Sequence, residues 1–198
     1  MTFDINFAKI KHKYKALINY IYMKVTERER VFLVKKLPAD LNKYQPIIIQ
    51  VGDFYDSNAK DALKIRCKGD HCHLIKKETN SSQERIEHVI DIKPGEFEAL
   101  MKATVQSHKK FRYLYPLGKY TCELDLYTGS LAGYVRAEVE FDNDQEMNSF
   151  VPPDWFGQEI TEINHEIHED LGLVTFAEMK KRYAQHGIDL EPVLNNVN

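Results

Sequence analysis

The chain has no apolar run near the roughly 18 residues needed to cross a bilayer, and its opening, MTFDINFAKIKHKYK, lacks the apolar stretch of a secretory leader. A cytoplasmic protein with no membrane partner is the expectation. Cysteine is scarce: Cys67, Cys72 and Cys122 cannot all pair with one another, and neither CxxC spacing nor a zinc-type Cys/His cluster occurs. Reduced, mostly structural thiols are therefore expected. No GxxxxGKS or GxxxxGKT loop is present, which removes the usual P-loop means of holding a nucleotide. A strong net charge is missing too, since 27 basic and 30 acidic residues leave −3, so the average surface has no pull on nucleic acid. At 198 residues the chain suits one domain, given a usual size of about 100–200 residues.

What is present is a series of strand patterns. Residues 1–24 carry Phe7, Ile10, Tyr14, Leu17, Ile18 and Ile21 at helical spacing among lysines, which predicts an amphipathic helix packed across one end of the domain or against a partner. VTERERVFLVKK alternates as a strand, and YQPIIIQVGDFY reads as a second. Residues 62–68 and 71–77 predict a hairpin about Gly69 and Asp70, and ERIEHVIDI a further strand. Pro94 opens a short helix, KKFRYLYPLGKYTCELDLY is a hairpin, and YVRAEVEFD is a strand. Helices are expected over DNDQEMNSF, 157–169 and 173–186, the last with Phe176, Met179 and Tyr183 inward and Gly187 as its stop. Many strands and few helices argue against βαβ units and for an antiparallel barrel or sandwich with helices outside.

The strands share one feature: ionisable residues recur at spacing two. Glu27 and Glu29, Lys64 and Arg66, Arg85 and Glu87, Lys110 and Arg112, Glu123 and Asp125, and Arg136, Glu138 and Glu140 each fall on one face, because strand side chains alternate. The opposite face is largely apolar. A solvated sheet face also alternates, but it does not segregate basic pairs and acidic pairs onto separate strands. If the sheet closes, these charges meet in a space of low dielectric, where each needs a partner. A polyphosphate supplies oxygens for Lys and Arg, and a hard divalent cation gives carboxylates a reason to cluster. The outward apolar faces are then covered by helices or by a second copy in a homodimer.

These residues resemble the CYTH, or triphosphate tunnel metalloenzyme, family over about 25–172. ERERVFLV at 27–34 is similar to the family's EIERKFLV, and Lys64-Ile65-Arg66 to its Arg-x-Arg strand. LIKK at 74–77 resembles LTIK and sets the lysine at Lys77, while Lys110-Phe111-Arg112-Tyr113 resembles KTRY. CELDLY at 122–127, GYVRAEVEF at 133–141 and PDWFGQEIT at 153–161 follow in family order. The departures are Val31 for the lysine of the first motif, Lys64 for an arginine, and Gln83 and Arg85 in a strand where the family carries Arg and acids.

The resemblance implies a closed antiparallel eight-stranded β-barrel, α+β and mainly β, over 25–172, with residues 173–198 as a helix and tail packed on it. It implies hydrolysis of inorganic tripolyphosphate or a related triphosphate with Mg²⁺ or Mn²⁺. Glu27, Glu29, Glu123, Asp125, Glu138 and Glu140 become the metal-ligand candidates, with Glu123 and Asp125 equally suited to holding the basic groups in place. Lys64, Arg66, Lys77, Arg85, Lys110, Arg112 and Arg136 would contact substrate, and Glu87, Glu138 or Glu140 would help a water attack. His71 and His73 read as surface residues, and Tyr113 and Trp155 as packing. Cyclisation of ATP to cyclic AMP and a non-catalytic polyphosphate or nucleotide sensor are the alternatives.

Overall fold

A computed structural model describes residues 28–54, 62–81, 84–167 and 170–193. The helix expected over 1–24, Glu27 and Gln83 lie outside the described residues. Nine antiparallel strands form one sheet: β1 (Glu29–Val34), β2 (Ile47–Asp53), β3 (Ala62–Lys68), β4 (His71–Ser81), β5 (Glu84–Ile92), β6 (Gln106–Leu117), β7 (Tyr120–Tyr127), β8 (Val135–Glu140) and β9 (Phe156–Glu159). Among the described residues four α-helices accompany them: α1 (Pro94–Met101), α2 (Asp144–Ser149), α3 (Asn164–Ile167) and α4 (Phe176–Gln185).

The expected closed eight-stranded barrel is not what forms. The order is β5-β4-β3-β2-β6-β7-β8-β1-β9, so β5 and β9 are edges and the sheet stays open. A ninth strand accounts for part of the difference. The stretch read as helical from 157 instead begins with β9, which pairs with β1 through Phe32↔Glu159 and Val34↔Phe156 and forms the edge beyond β1. Only Asn164–Ile167 of that stretch is recorded as helix among the described residues.

Alternation works as the spacing predicts. One face of β6, β7 and β8 buries Cys122, Leu124, Leu126, Val135, Ala137 and Val139 with Phe32, Trp155 and Phe156, and Tyr113 packs against this cluster. Phe150, just after α2, joins it by edge contacts with Tyr120 and Phe141. Further along the same side, α1 lies over Ile65, Cys67 and Cys72 through Phe97. Pro94 suits the start of α1, and Glu96 caps it by accepting from the Lys93 N–H at 2.7 Å.

The helices expected outside are not all outside. Val31 and Leu33 share their face of β1 with Glu29, yet both sit in an apolar cluster with Tyr127, Tyr134, Ile160, Met179, Tyr183 and Leu190. The chain after β9 therefore packs against the charged face. The contact is specific: the Tyr134 and Tyr183 hydroxyls lie 2.8 Å apart, and Val193 donates its N–H to Gly133 at 2.9 Å. Thr175 caps α4 and Met179 and Tyr183 point inward, as expected of this helix, with Gly187 (φ 72°) just past its end.

Candidate functional site

Strand register carries the charged residues into contact. Glu29 opposes Glu140, and Val31 opposes Glu138, across β1 and β8. Glu123 opposes Glu138, and Asp125 opposes Arg136, across β7 and β8. Arg112 opposes Asp125, and Lys110 opposes Tyr127, across β6 and β7. Directly opposed residues share a face, so acids and bases read from separate strands become neighbours.

Asp125 is the centre of this set. It is fully shielded from solvent, and Lys110, Arg112, Arg136 and Glu138 around it are each less than a tenth exposed. Arg112 grips it bidentately, Nε to Oδ1 at 2.6 Å and Nη2 to Oδ2 at 2.5 Å. Lys110 donates to the same carboxylate, and Arg136 stands 3.7 Å from it. Arg112 also donates to Glu123 and, at 2.9 Å, to Glu138, while Arg136 reaches Glu138 at 2.5 Å. Asn164 of α3 accepts from Arg136 Nη1 at 2.9 Å, which ties the covering segment to the charges it covers.

The charges are held in their ionised forms. Burial pushes the Asp125 carboxyl up, but Lys110 and Arg112 overcome it and hold it at about 2. Burial lowers Lys110 to about 8 against the pull of Asp125, which leaves it protonated at neutral pH. Burial also opposes the Arg112 charge, and Asp125 more than restores it.

A second basic row faces the same way on β3. Lys64, Arg66 and Lys68 oppose Asp53, Val51 and Ile49 of β2, and Ile49 and Val51 in turn oppose Lys110 and His108 of β6. Lys68 is lowered by burial first, then by Arg66, Arg112 and Lys110, so cations of β3 and β6 repel one another across β2. Arg66 Nε is buried and has no hydrogen-bond partner among the described residues. In backbone register Lys77 opposes Ala62 and Glu87, and Arg85 opposes Thr79. His71 is exposed as expected, whereas His73 is half-buried opposite Arg66, with Nε2 3.1 Å from exposed Asp91 and Nδ1 buried.

Sequence reading missed three participants. His108 and Lys68 extend the spacing-two pattern of Lys110 and Lys64, a signal that was available. Burial, then Lys110, lowers His108 to about 3, so its imidazole is neutral. Asn164 carries no such signal, since only folding brings it to Arg136.

Relatives are consistent with this arrangement. No protein-family model matches the chain. An inorganic triphosphatase of Nitrosomonas europaea is 32% identical over 142 residues, covering 70% of this chain and 91% of the relative. The chain belongs to the CYTH, or triphosphate tunnel metalloenzyme, family. A second inorganic triphosphatase, of Acetivibrio thermocellus, is 29% identical over 126 residues, covering 56% of this chain and 80% of the relative. The crystal structure of an inorganic triphosphatase aligns with a TM-score of 0.61 at 31% identity, covering 75% of this chain and 95% of that one.

Against the CYTH pattern, the departure at Val31 has a structural reason. The position lies on the charged face but is wholly buried beneath the segment that follows β9, and Ile160 and Thr161 bond its backbone, to O at 2.8 Å and from N at 3.0 Å. A lysine there would meet apolar side chains and an opposed Glu138 already bonded to Arg112 and Arg136, so the valine belongs to the cover.

Proposed function

We propose that this CYTH protein hydrolyses inorganic tripolyphosphate or a related triphosphate: water attacks the terminal phosphorus, the bond to the bridging oxygen breaks, the terminal phosphoryl becomes orthophosphate and the diphosphate end departs with the bridging oxygen. The observation that carries this reading is the convergence of Lys68 with Arg66, Lys110 and Arg112, whose charges add to burial in lowering Lys68, beside a buried carboxylate network. So many cations in one low-dielectric space suit a compact polyanion better than any neutral ligand. The family and its inorganic triphosphatase relatives point the same way.

In this reading Lys64, Arg66, Lys77, Arg85, Lys110, Arg112 and Arg136 contact phosphate oxygens. Asp125 then serves less as a metal ligand than as the group that aims Lys110 and Arg112, because its carboxylate is already occupied by their donors. Glu123 bonds to Arg112 and takes the same supporting part. Orientation of the three central cations is fixed before substrate arrives, which limits the reorganisation needed when charge develops on the phosphoryl group.

A divalent ion, Mg²⁺ or Mn²⁺, fits the acidic side. Glu29 and Glu140 are directly opposed, and a divalent cation between them would offset the repulsion of like charges so placed. Among the described residues no ready-made cluster of three or more ligands occurs, so the set would draw on Glu29, Glu140 and Glu138 together with Glu27 and phosphate oxygens. When bound, such an ion supplies charge neutralisation at the phosphoryl group and acidifies water. Of the candidate bases, Glu138 is committed to Arg112 and Arg136, whereas Glu140 is exposed and better placed to take a proton from water.

The test is incubation of purified protein with tripolyphosphate and, separately, ATP, each with Mg²⁺ or Mn²⁺, following orthophosphate, pyrophosphate and cyclic AMP. Metal-dependent orthophosphate release from tripolyphosphate is expected. Cyclic AMP with pyrophosphate from ATP, or tight binding without any product, would overturn it.

A further inference from the structure

The structure joins Cys67 to Cys72, against the expectation of reduced thiols, and leaves Cys122 as a free, buried cysteine. The pairing follows from the hairpin. A two-residue turn at Gly69 (φ 58°) and Asp70 makes Lys68↔His71 the closing pair, so Cys67 and Cys72 stand directly opposite one step further in. Their Cα atoms are 4.0 Å apart, the close spacing of a cross-strand pair without hydrogen bonds between its members, usually about 4.5 Å. Both side chains are on the apolar side, beneath α1, while neighbouring Arg66, Lys68 and His73 face the candidate site.

We propose that Cys67 and Cys72 are a reversible modification site at which a small-molecule disulfide or thiol sets how firmly the β3–β4 hairpin presents its basic row to the polyanion. The coupling to the polyanion rests on the triphosphate reading; the redox chemistry does not. In oxidation one cysteine thiolate attacks the small disulfide, forming a mixed disulfide and releasing one thiol. The second cysteine displaces the other thiol, so two protein thiols and one disulfide give one protein disulfide and two small thiols. Access comes through α1, an eight-residue helix whose one fully buried side chain is Phe97, so a local opening exposes the sulfurs. Cys122 takes no part, since it is fully buried and burial pushes its thiol well up.

The link to function is register. Gly69, Asp70 and His71 are exposed, so little but strand pairing holds the tip. A slip of β3 by one residue against both β2 and β4 would turn Arg66 and Lys68 away from the site, and a covalent bond between Cys67 and Cys72 opposes it by fixing β3 to β4.

Full-length protein equilibrated in graded mixtures of reduced and oxidised glutathione, then alkylated and weighed, should show residues 67 and 72 passing together between two alkylated thiols and none. Tripolyphosphate with Mg²⁺ should bind the oxidised form several-fold more tightly by calorimetry. The paired substitutions Cys67→Ser and Cys72→Ser should hold the reduced-form affinity under oxidant. Thiols that stay alkylatable at every ratio, or equal affinities in both forms, would overturn the proposal. Absence of binding in both forms, with amide exchange over 63–75 still slowed by oxidation, would sink the triphosphate reading alone; unchanged exchange would sink the switch.

Discussion

Arg112 holds Asp125 by two parallel hydrogen bonds, 2.6 and 2.5 Å long, in a position where the carboxylate sees no solvent. The planar fork of the guanidinium matches the carboxylate, so the pair fixes orientation as well as charge. Lys110 and Arg136 are then arranged around the same acid.

Removing that acid should therefore damage the fold before it damages chemistry. Asp125→Ala would strand Lys110 as a buried cation and take from Arg112 its bidentate partner, leaving it Glu123 and Glu138, and loss of one partner of a buried pair costs about 3–5 kcal/mol. Urea unfolding followed by circular dichroism measures it; a change within about 0.5 kcal/mol, typical of a surface site, would contradict the assignment.

Acid should act through the same residue. Its folded value of about 2 lies below an unfolded value of about 3.9, so its contribution, about 2 kcal/mol, is fully present above the unfolded value and lost as pH falls through the folded one. Asp125→Asn should flatten the stability profile over that acid window.

Above neutrality, Lys110 sets an opposite pair of trends. Its folded value of about 8 is below the roughly 10.4 of an unfolded lysine, so Lys110 alone makes stability rise with pH between the two. Loss of its charge over that interval should weaken triphosphate binding. A KM that climbs above about pH 8, while melting temperature does not fall in step, is the expected signature. Lys110→Arg should move the climb to higher pH.

Glu29→Gln should raise the concentration of Mg²⁺ or Mn²⁺ needed for half-maximal orthophosphate release, with little change in unfolding midpoint, because the residue is only partly buried and opposes another glutamate. An unchanged metal titration would remove Glu29 from the ligand set.

Val31→Lys restores a family residue and should nonetheless fail to raise activity. The side chain would enter a solvent-free space filled by apolar residues, where the opposed Glu138 is already bonded to Arg112 and Arg136, and the cost of burying an ammonium without a free partner is several kcal/mol. A thermal melt lowered by many degrees is expected; an unchanged melt with faster phosphate release would show that the covering segment yields.

Much of this protein was legible in its sequence because strand geometry is local. Period two alone sets Lys110 with Arg112, Glu123 with Asp125, and Arg136 with Glu138, and apolar Leu124, Val135 and Ala137 behind them. The hairpin turn at Gly69, the Pro94 helix start and the order of family motifs are likewise readable one segment at a time. Closure is not. Whether a sheet of this kind shuts depends on which strands end at its edges, and four residues, Phe156–Glu159, form an edge strand running into the stretch expected as helix from 157. Pairing between β1 and β9, the packing of Tyr183 over Val31, the reach of Asn164 to Arg136 and the meeting of Cys67 with Cys72 are contacts between sequence-distant or cross-strand groups. Composition and spacing determine which side chains can share a face. Only the folded chain decides which faces are covered and by what, because burial is a property of the whole packing and not of any one strand.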